Sequence, residues 1–197
     1  MQKNKNQKLL RFGTSLLIPK FVKNAYLMVR FGCTIHPRAN INFLKNLTIG
    51  KGSVIGKCDI YAQGPLMIGK NCLINDYVIL NSKTGYMKIG DNSAINNFSI
   101  IYGNGGIEIG DHCAIAHSVK IIKNHQIPEQ LNIPYSATSD KFTKIGNYVW
   151  LGANTTIVDG IVIGDNCVIG ANSFVNKNLL ENGIYAGSPA KLIRQRQ

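Results

Sequence analysis

The chain has 197 residues and is 45% hydrophobic, enough to fill one core and too short for a second full domain beside it. Its formal charge of +12 is local: residues 1–58 hold 11 Lys/Arg and no acid, whereas residues 59–197 hold 11 Lys/Arg against 10 Asp/Glu. With a near-neutral remainder and no nucleic-acid-binding motif, an extended basic face for DNA or RNA is not expected.

The first predicted unit is a short basic amphipathic segment, residues 1–28, read as helical. Residues 9–31, LLRFGTSLLIPKFVKNAYLMVRF, mix Leu, Ile, Phe and Tyr with Arg11, Lys20, Lys23 and Arg30, and Pro19 interrupts them. Two readings stay open. The segment docks on an anionic inner membrane, where each cation near the surface contributes about 1 kcal/mol, or it packs on the rest of the chain with its basic face in water. The uncharged run between Arg11 and Lys20 is eight residues, short for a membrane span or a secretory signal. The expected location is the cytoplasm, with the inner membrane's cytoplasmic face as an optional peripheral contact.

A repeat governs the second unit, residues 29–197, which ends in a C-terminal tail. An aliphatic-Gly pair recurs at Ile49-Gly50, Ile55-Gly56, Ile68-Gly69, Ile89-Gly90, Ile109-Gly110, Ile145-Gly146, Leu151-Gly152, Ile163-Gly164 and Ile169-Gly170. Hexads run back to back in IGKGSV-IGKCDI and IGDNCV-IGANSF. A helix cannot produce that period, but a short strand plus a turn can. Three such units close a triangular coil with the aliphatics inward, and stacked coils form an all-β solenoid. Coil starts at 49, 68, 89 and 109 are 19, 21 and 20 residues apart, and those at 145 and 163 are 18 apart. Ile35 and Ile41 put the first coil near residue 29.

The fifth hexad position must be small where the chain turns, and it holds Ser53, Cys72, Ser93, Cys113, Cys167 and Ser173. The five cysteines are odd in number and contain no CxxC pair, which suits free interior thiols in a reducing compartment.

This frame resembles the hexapeptide-repeat acyltransferases over roughly residues 30–194. The resemblance implies a left-handed parallel β-helix, a homotrimer with active sites between subunits, acetyl-CoA as acyl donor, and no metal.

Ile109 to Ile145 spans 36 residues where one coil needs about 18, so an extra segment near Gln126–Thr143 loops out of the solenoid. His125 stands at its root, in IIKNHQIPEQ, where the xenobiotic, galactoside, maltose and polysaccharide O-acetyltransferases of the family carry their catalytic histidine. The chemistry suits that residue: a sugar hydroxyl is a poor nucleophile, and its proton must leave to a base whose pKa lies near working pH. Backbone N–H groups at a turn would stabilise the oxyanion. His117, in IAHSV, and Asn124 are candidates for contacts with the acceptor, although a structural role for His117 is equally compatible with its hexad position. His112 and His36 read as surface residues at turns. The family's fold also hosts zinc-dependent anhydrases, and His112 and His117 have the spacing of their ligand pair. The IGDH turn position of His112 argues against that reading.

After the loop, IGNYVWLGANTTIVDGIVIGDNCVIGANSFVNKNLLENGIYAGSPAKLIRQRQ resembles the C-terminal signature of acetyl-CoA-dependent members. By that resemblance Trp150 is an aromatic beside the active site, and Ala153 and Ala171 are small positions along which pantetheine can lie. Asn176-Lys177 replaces the family's usual Thr-Lys contact to CoA. Lys191 and Arg194 match basic positions facing its 3′-phosphate, a site for charge-assisted bonds.

NGGIEIGDHCAIAHSVKIIKNH resembles the bacterial polysaccharide O-acetyltransferases, so a hydroxyl of a surface-polysaccharide sugar or its precursor is the expected acceptor. The galactoside and maltose enzymes carry an acidic acceptor-binding residue near the N-terminus, and here no acid precedes Asp59. N-acetylation of an amino-sugar nucleotide and a non-catalytic β-helix scaffold are the alternatives.

Overall fold

The computed structural model describes residues 18–83, 85–122 and 141–196. These form a three-sided, left-handed parallel β-helix whose first, second and third faces are sheets of nine, seven and six strands. The faces open with Thr34–Ile35, Asn40–Asn42 and Leu47–Ile49, and each coil adds one short strand to each face.

Alternation within such short strands sends one or two aliphatics inward and the others out. The inward ones stack in register. On the third face Ile49, Ile68, Ile89, Ile109, Ile145 and Ile163 are consecutive partners. On the first face Ile35, Ile55, Ile74, Ile95, Ile115, Leu151 and Ile169 form an equivalent column. Ile41, Ile60, Leu80, Ile101, Ile121, Ile157 and Val175 do so on the second. All are buried, and each full burial of such a side chain stabilises by about 1.5–3 kcal/mol.

The edge between third and first faces explains the repeated glycine. Each of its six turns has four residues, and successive turns touch. A Cβ on Gly69 would stand 2.5 Å from Asp91 Oδ1 and 2.6 Å from the Gly90 carbonyl carbon. Close approach, rather than a left-handed backbone, therefore demands glycine there. The next residue ties one coil to the next: Asp91 accepts the Lys70 N–H, Asp111 that of Asp91, Asn147 that of Asp111, and Asp165 that of Asn147, at 2.7–2.9 Å. The left-handed residue of each turn is the second after the inward aliphatic's glycine: Gly52, Asn71, Asn92, His112, Tyr148 and Asn166.

The fifth position is as small as the hexads require. Ser53 and Ser93 hydroxyls donate to Gly69 and Gly110 carbonyls at 2.7 and 2.9 Å, and Cys72, Cys113 and Cys167 thiols donate to Gly90, Gly146 and Leu180 at 3.0–3.1 Å. All five cysteines are buried and free.

Helix α1, Lys20–Phe31, covers the lower end of the solenoid. It starts after Pro19 and ends at Gly32, whose left-handed backbone (φ 62°) returns its N–H to Met28 O at 2.9 Å. Leu27 and Asn24 are buried against the first coil, where strand edges would otherwise lie open. The Asn24 amide donates to the His36, Pro37 and Ala39 carbonyls at 3.1, 3.3 and 3.0 Å.

Three expectations need correction. The first coil opens at Thr34 rather than near 29, because α1 continues to Phe31. Thr143 is not loop: it is buried in the strand Thr143–Ile145, pairs with Ile107, and accepts the Gly160 N–H at 3.0 Å. The C-terminal tail is not merely a tail, since Lys191–Gln195 folds back antiparallel on Gly183–Ala186 and extends the first face. Among the described residues no helix is long and apolar enough to cross a membrane.

Candidate active site

The second-face strand Lys120–Ile122 is followed, beyond residues 123–142, by the third-face strand Thr143–Ile145. The insertion thus occupies one turn of the second–third edge, where the other coils spend three to five residues. Asn124 and His125, at its root, lie outside the described residues.

His117, Ala153 and Ala171 come together in one exposed column on the first–second edge. Asn154 N–H bonds the His117 carbonyl and Asn172 N–H the Ala153 carbonyl, both at 2.9 Å, which fixes the register. The same edge holds polar chemistry that the hexad pattern does not announce. The Lys120 ammonium donates to Asn154 Oδ1 at 2.9 Å and to the Ser118 carbonyl at 3.3 Å, and the Asn154 amide donates to Asn172 Oδ1 at 2.8 Å.

Below His117 the edge departs from the glycine rule. Where the frame has Gly56, Gly152 and Gly170, the middle coils carry Asn75, Asn96 and Ala116. The Asn75 amide donates to Asn96 Oδ1 at 2.8 Å, and the Asn96 amide to the Ile115 carbonyl at 2.9 Å. Beside them Tyr77 and Phe98 stack with centroids 5.2 Å apart and planes 2° from parallel, 49% and 57% exposed. Both have left-handed backbones (φ 61° and 64°), an unfavourable place for a bulky residue. Reading consecutive coils in register would have paired the two rings from sequence.

Trp150 lies on the first face, 55% exposed, between Ala114 and Val168. Its outward row continues through Ile184 to Arg194, while Lys191 pairs with Ala186. Trp150 and Arg194 therefore share a face, three strand spacings or roughly 14 Å apart. Asn176 and Lys177 do not join them: they are exposed on the second–third edge of the last coil, the edge that bears the insertion.

His112 sits on the third–first edge, its ring 4.9 Å from and parallel to that of Tyr148. His117 is on a different edge, so the five-residue spacing does not bring the two together as metal ligands. His36 is exposed, and its Nδ1 accepts the Arg38 N–H at 3.1 Å. The thiols are poor nucleophiles: burial, with the Asp59 and Asp76 charges adding, pushes Cys58 up to about 12, and burial pushes Cys113 up to about 11.

Residues 142–177 match the family model described as bacterial transferase hexapeptide (six repeats). A protein of Escherichia coli K12 named as a lipopolysaccharide biosynthesis O-acetyltransferase, WbbJ, is 32% identical over 180 residues, covering 91% of this chain and 84% of that one. The chain belongs to the hexapeptide-repeat acyltransferases. Another relative, the galactoside O-acetyltransferase of the same organism, is 33% identical over 65% of this chain and 63% of its own. Among solved structures, the Bacillus cereus N-acyltransferase AntD, in complex with dTDP and 3-hydroxybutyryl-CoA, has a TM-score of 0.63 at 25% identity and covers 92% of each chain. Membership accounts for the solenoid and makes the chain an enzyme of acyl transfer.

Proposed function

We propose that this acyltransferase moves the acetyl group of acetyl-CoA to a hydroxyl of a sugar in a bacterial surface polysaccharide or its precursor, working in the cytoplasm as a homotrimer with active sites between subunits. The likeness to WbbJ across 91% of the chain carries this reading. Neutral His125 takes the hydroxyl proton as the sugar oxygen attacks the thioester carbonyl carbon. Collapse of the tetrahedral intermediate breaks the C–S bond, and the imidazolium returns the proton to the CoA sulfur, leaving an ester, free CoA and neutral histidine.

The exposed first–second edge suits the two long substrates. Ala153 and Ala171 leave a low wall for pantetheine, and Trp150 with Lys191 and Arg194 supplies an aromatic and two cations for the nucleotide end. Asn176 and Lys177, on another edge, would meet CoA only across a neighbouring solenoid. His117, Asn124 and the Tyr77–Phe98 platform are assigned to the glycan, whose apolar ring faces can lie on exposed aromatics.

The test is acetyl transfer from labelled acetyl-CoA to polysaccharide repeat units, with product treated with hydroxylamine. A hydroxylamine-labile ester supports O-transfer. The resemblance to AntD favours a second reading, N-acylation of an amino-sugar nucleotide, which gives a hydroxylamine-stable amide.

A further inference from the structure

The two sides of α1 are both apolar. Asn24, Leu27, Met28 and Phe31, spaced i, i+3, i+4, i+7, face the solenoid, with Leu27 fully buried and Met28 and Phe31 packed against the core. Val22, Ala25, Tyr26 and Val29 repeat that spacing on the opposite side and stand in solvent. Val29 is 88% exposed, Tyr26 56% and Val22 44%, with Phe21 beside them at 61%. A helix apolar on opposite faces needs two partners, and the solenoid supplies one.

Charge identifies the second. Lys23 and Arg30, seven residues apart, border the outward stripe, and Lys20 lies in the first turn. No acid occurs before Asp59, whose carboxylate accepts the Asn40 amide at 2.7 Å, while residues 1–17 add Lys3, Lys5, Lys8 and Arg11. Covering the stripe with a second copy of α1, or with the chain's own first residues, would set cations against cations. An anionic bilayer offers hydrocarbon to the stripe and negative headgroups to its border.

We infer that α1 is an interfacial helix that docks the end of the solenoid on an anionic lipid surface. This stands apart from the acyl-transfer reading. The test is flotation of the full chain with phosphatidylglycerol–phosphatidylcholine vesicles and with phosphatidylcholine alone. Binding is expected only to the anionic vesicles and should weaken with salt. The double variant Val22→Ser/Val29→Ser should bind about tenfold more weakly or worse, and Arg30→Gln about fivefold more weakly. Both should keep the wild-type melting temperature and vesicle-free acetyl transfer. Absence of anionic-vesicle binding, or variants that bind like wild type, would overturn the inference. So would loss of a wild-type assembly in Val22→Ser/Val29→Ser by sedimentation equilibrium, which would assign the stripe to a second copy.

Discussion

The third–first and first–second edges of the solenoid turn the same chain through the same angle with different residues. At the third–first edge the turn is four residues in every coil, glycine follows the inward aliphatic, from Asp91 onward Asp or Asn ties each coil to the one before, and Ser or Cys fills the fifth position except at Val149. At the first–second edge the middle coils give up glycine for Asn75, Asn96 and Ala116, and place Tyr77 and Phe98 where asparagine would be cheaper. The uniform edge is under one constraint, the contact between neighbouring turns. Both edges set an exposed ring pair on left-handed backbone, His112–Tyr148 on one and Tyr77–Phe98 on the other, but only the first–second edge also gives up its glycines, as a surface shaped for binding can.

Substitutions at the two edges should therefore separate stability from activity. The largest stability loss is expected for Gly110→Ala, whose Cβ would lie 2.5 Å from Asn147 Oδ1 and 2.6 Å from the Gly146 carbonyl oxygen. Denaturant titration should show a loss of about 2–4 kcal/mol, with turnover per folded molecule retained. A loss under 0.5 kcal/mol would mean that the turns part freely and the contact is not the constraint.

Phe98→Asn reverses the pattern at the other edge. Relief of the left-handed backbone and loss of the ring stack oppose each other, so stability should stay within about 1 kcal/mol. The KM for the glycan should rise several-fold, with kcat and the KM for acetyl-CoA little changed. An unaltered glycan KM would reduce the Tyr77–Phe98 pair to a structural ladder.

Cys113→Ser is the mildest change, since Ser53 and Ser93 make the same bond to the next coil. It should alter stability by less than about 1 kcal/mol and leave activity intact. The buried thiols add a pH effect. Cys58 is raised from an ordinary value of 9.0 to about 12, so the folded state holds a proton the unfolded state loses. Its contribution is fully present below pH 9 and is lost as pH rises toward 12. Urea midpoints should be insensitive to this group at pH 7–8 and fall above pH 9, less steeply in Cys58→Ser. The same fall in the variant would place its cause elsewhere.

The legible part of the molecule was that under the repeating constraint. Ile109-Gly110 and Ile163-Gly164 announce a coil because inward packing and close turns leave few substitutes. The insertion was legible as a gap in that rhythm, although its end was misplaced because Thr143, a polar residue, takes an inward position by bonding Gly160. Lys191–Gln195 was not legible as a strand: its residues are all exposed, and its partner is set by a reversal of the chain rather than by a hexad. The Lys120–Asn154 contact was hidden for another reason, since the insertion separates two residues that are one coil apart in space. The apolar outward stripe of α1 could not be assigned before the inward face was known, because both faces have the same spacing.

In the proposed reaction the solenoid is scaffold and the chemistry belongs to His125, at the root of the segment that follows Ile122. Paired measurement of kcat/KM and thermal unfolding for His125→Ala tests this assignment most directly. A loss of about 10²–10⁴ in kcat/KM is expected, with an unchanged melting temperature. Retained turnover, or a loss that follows unfolding, would contradict it.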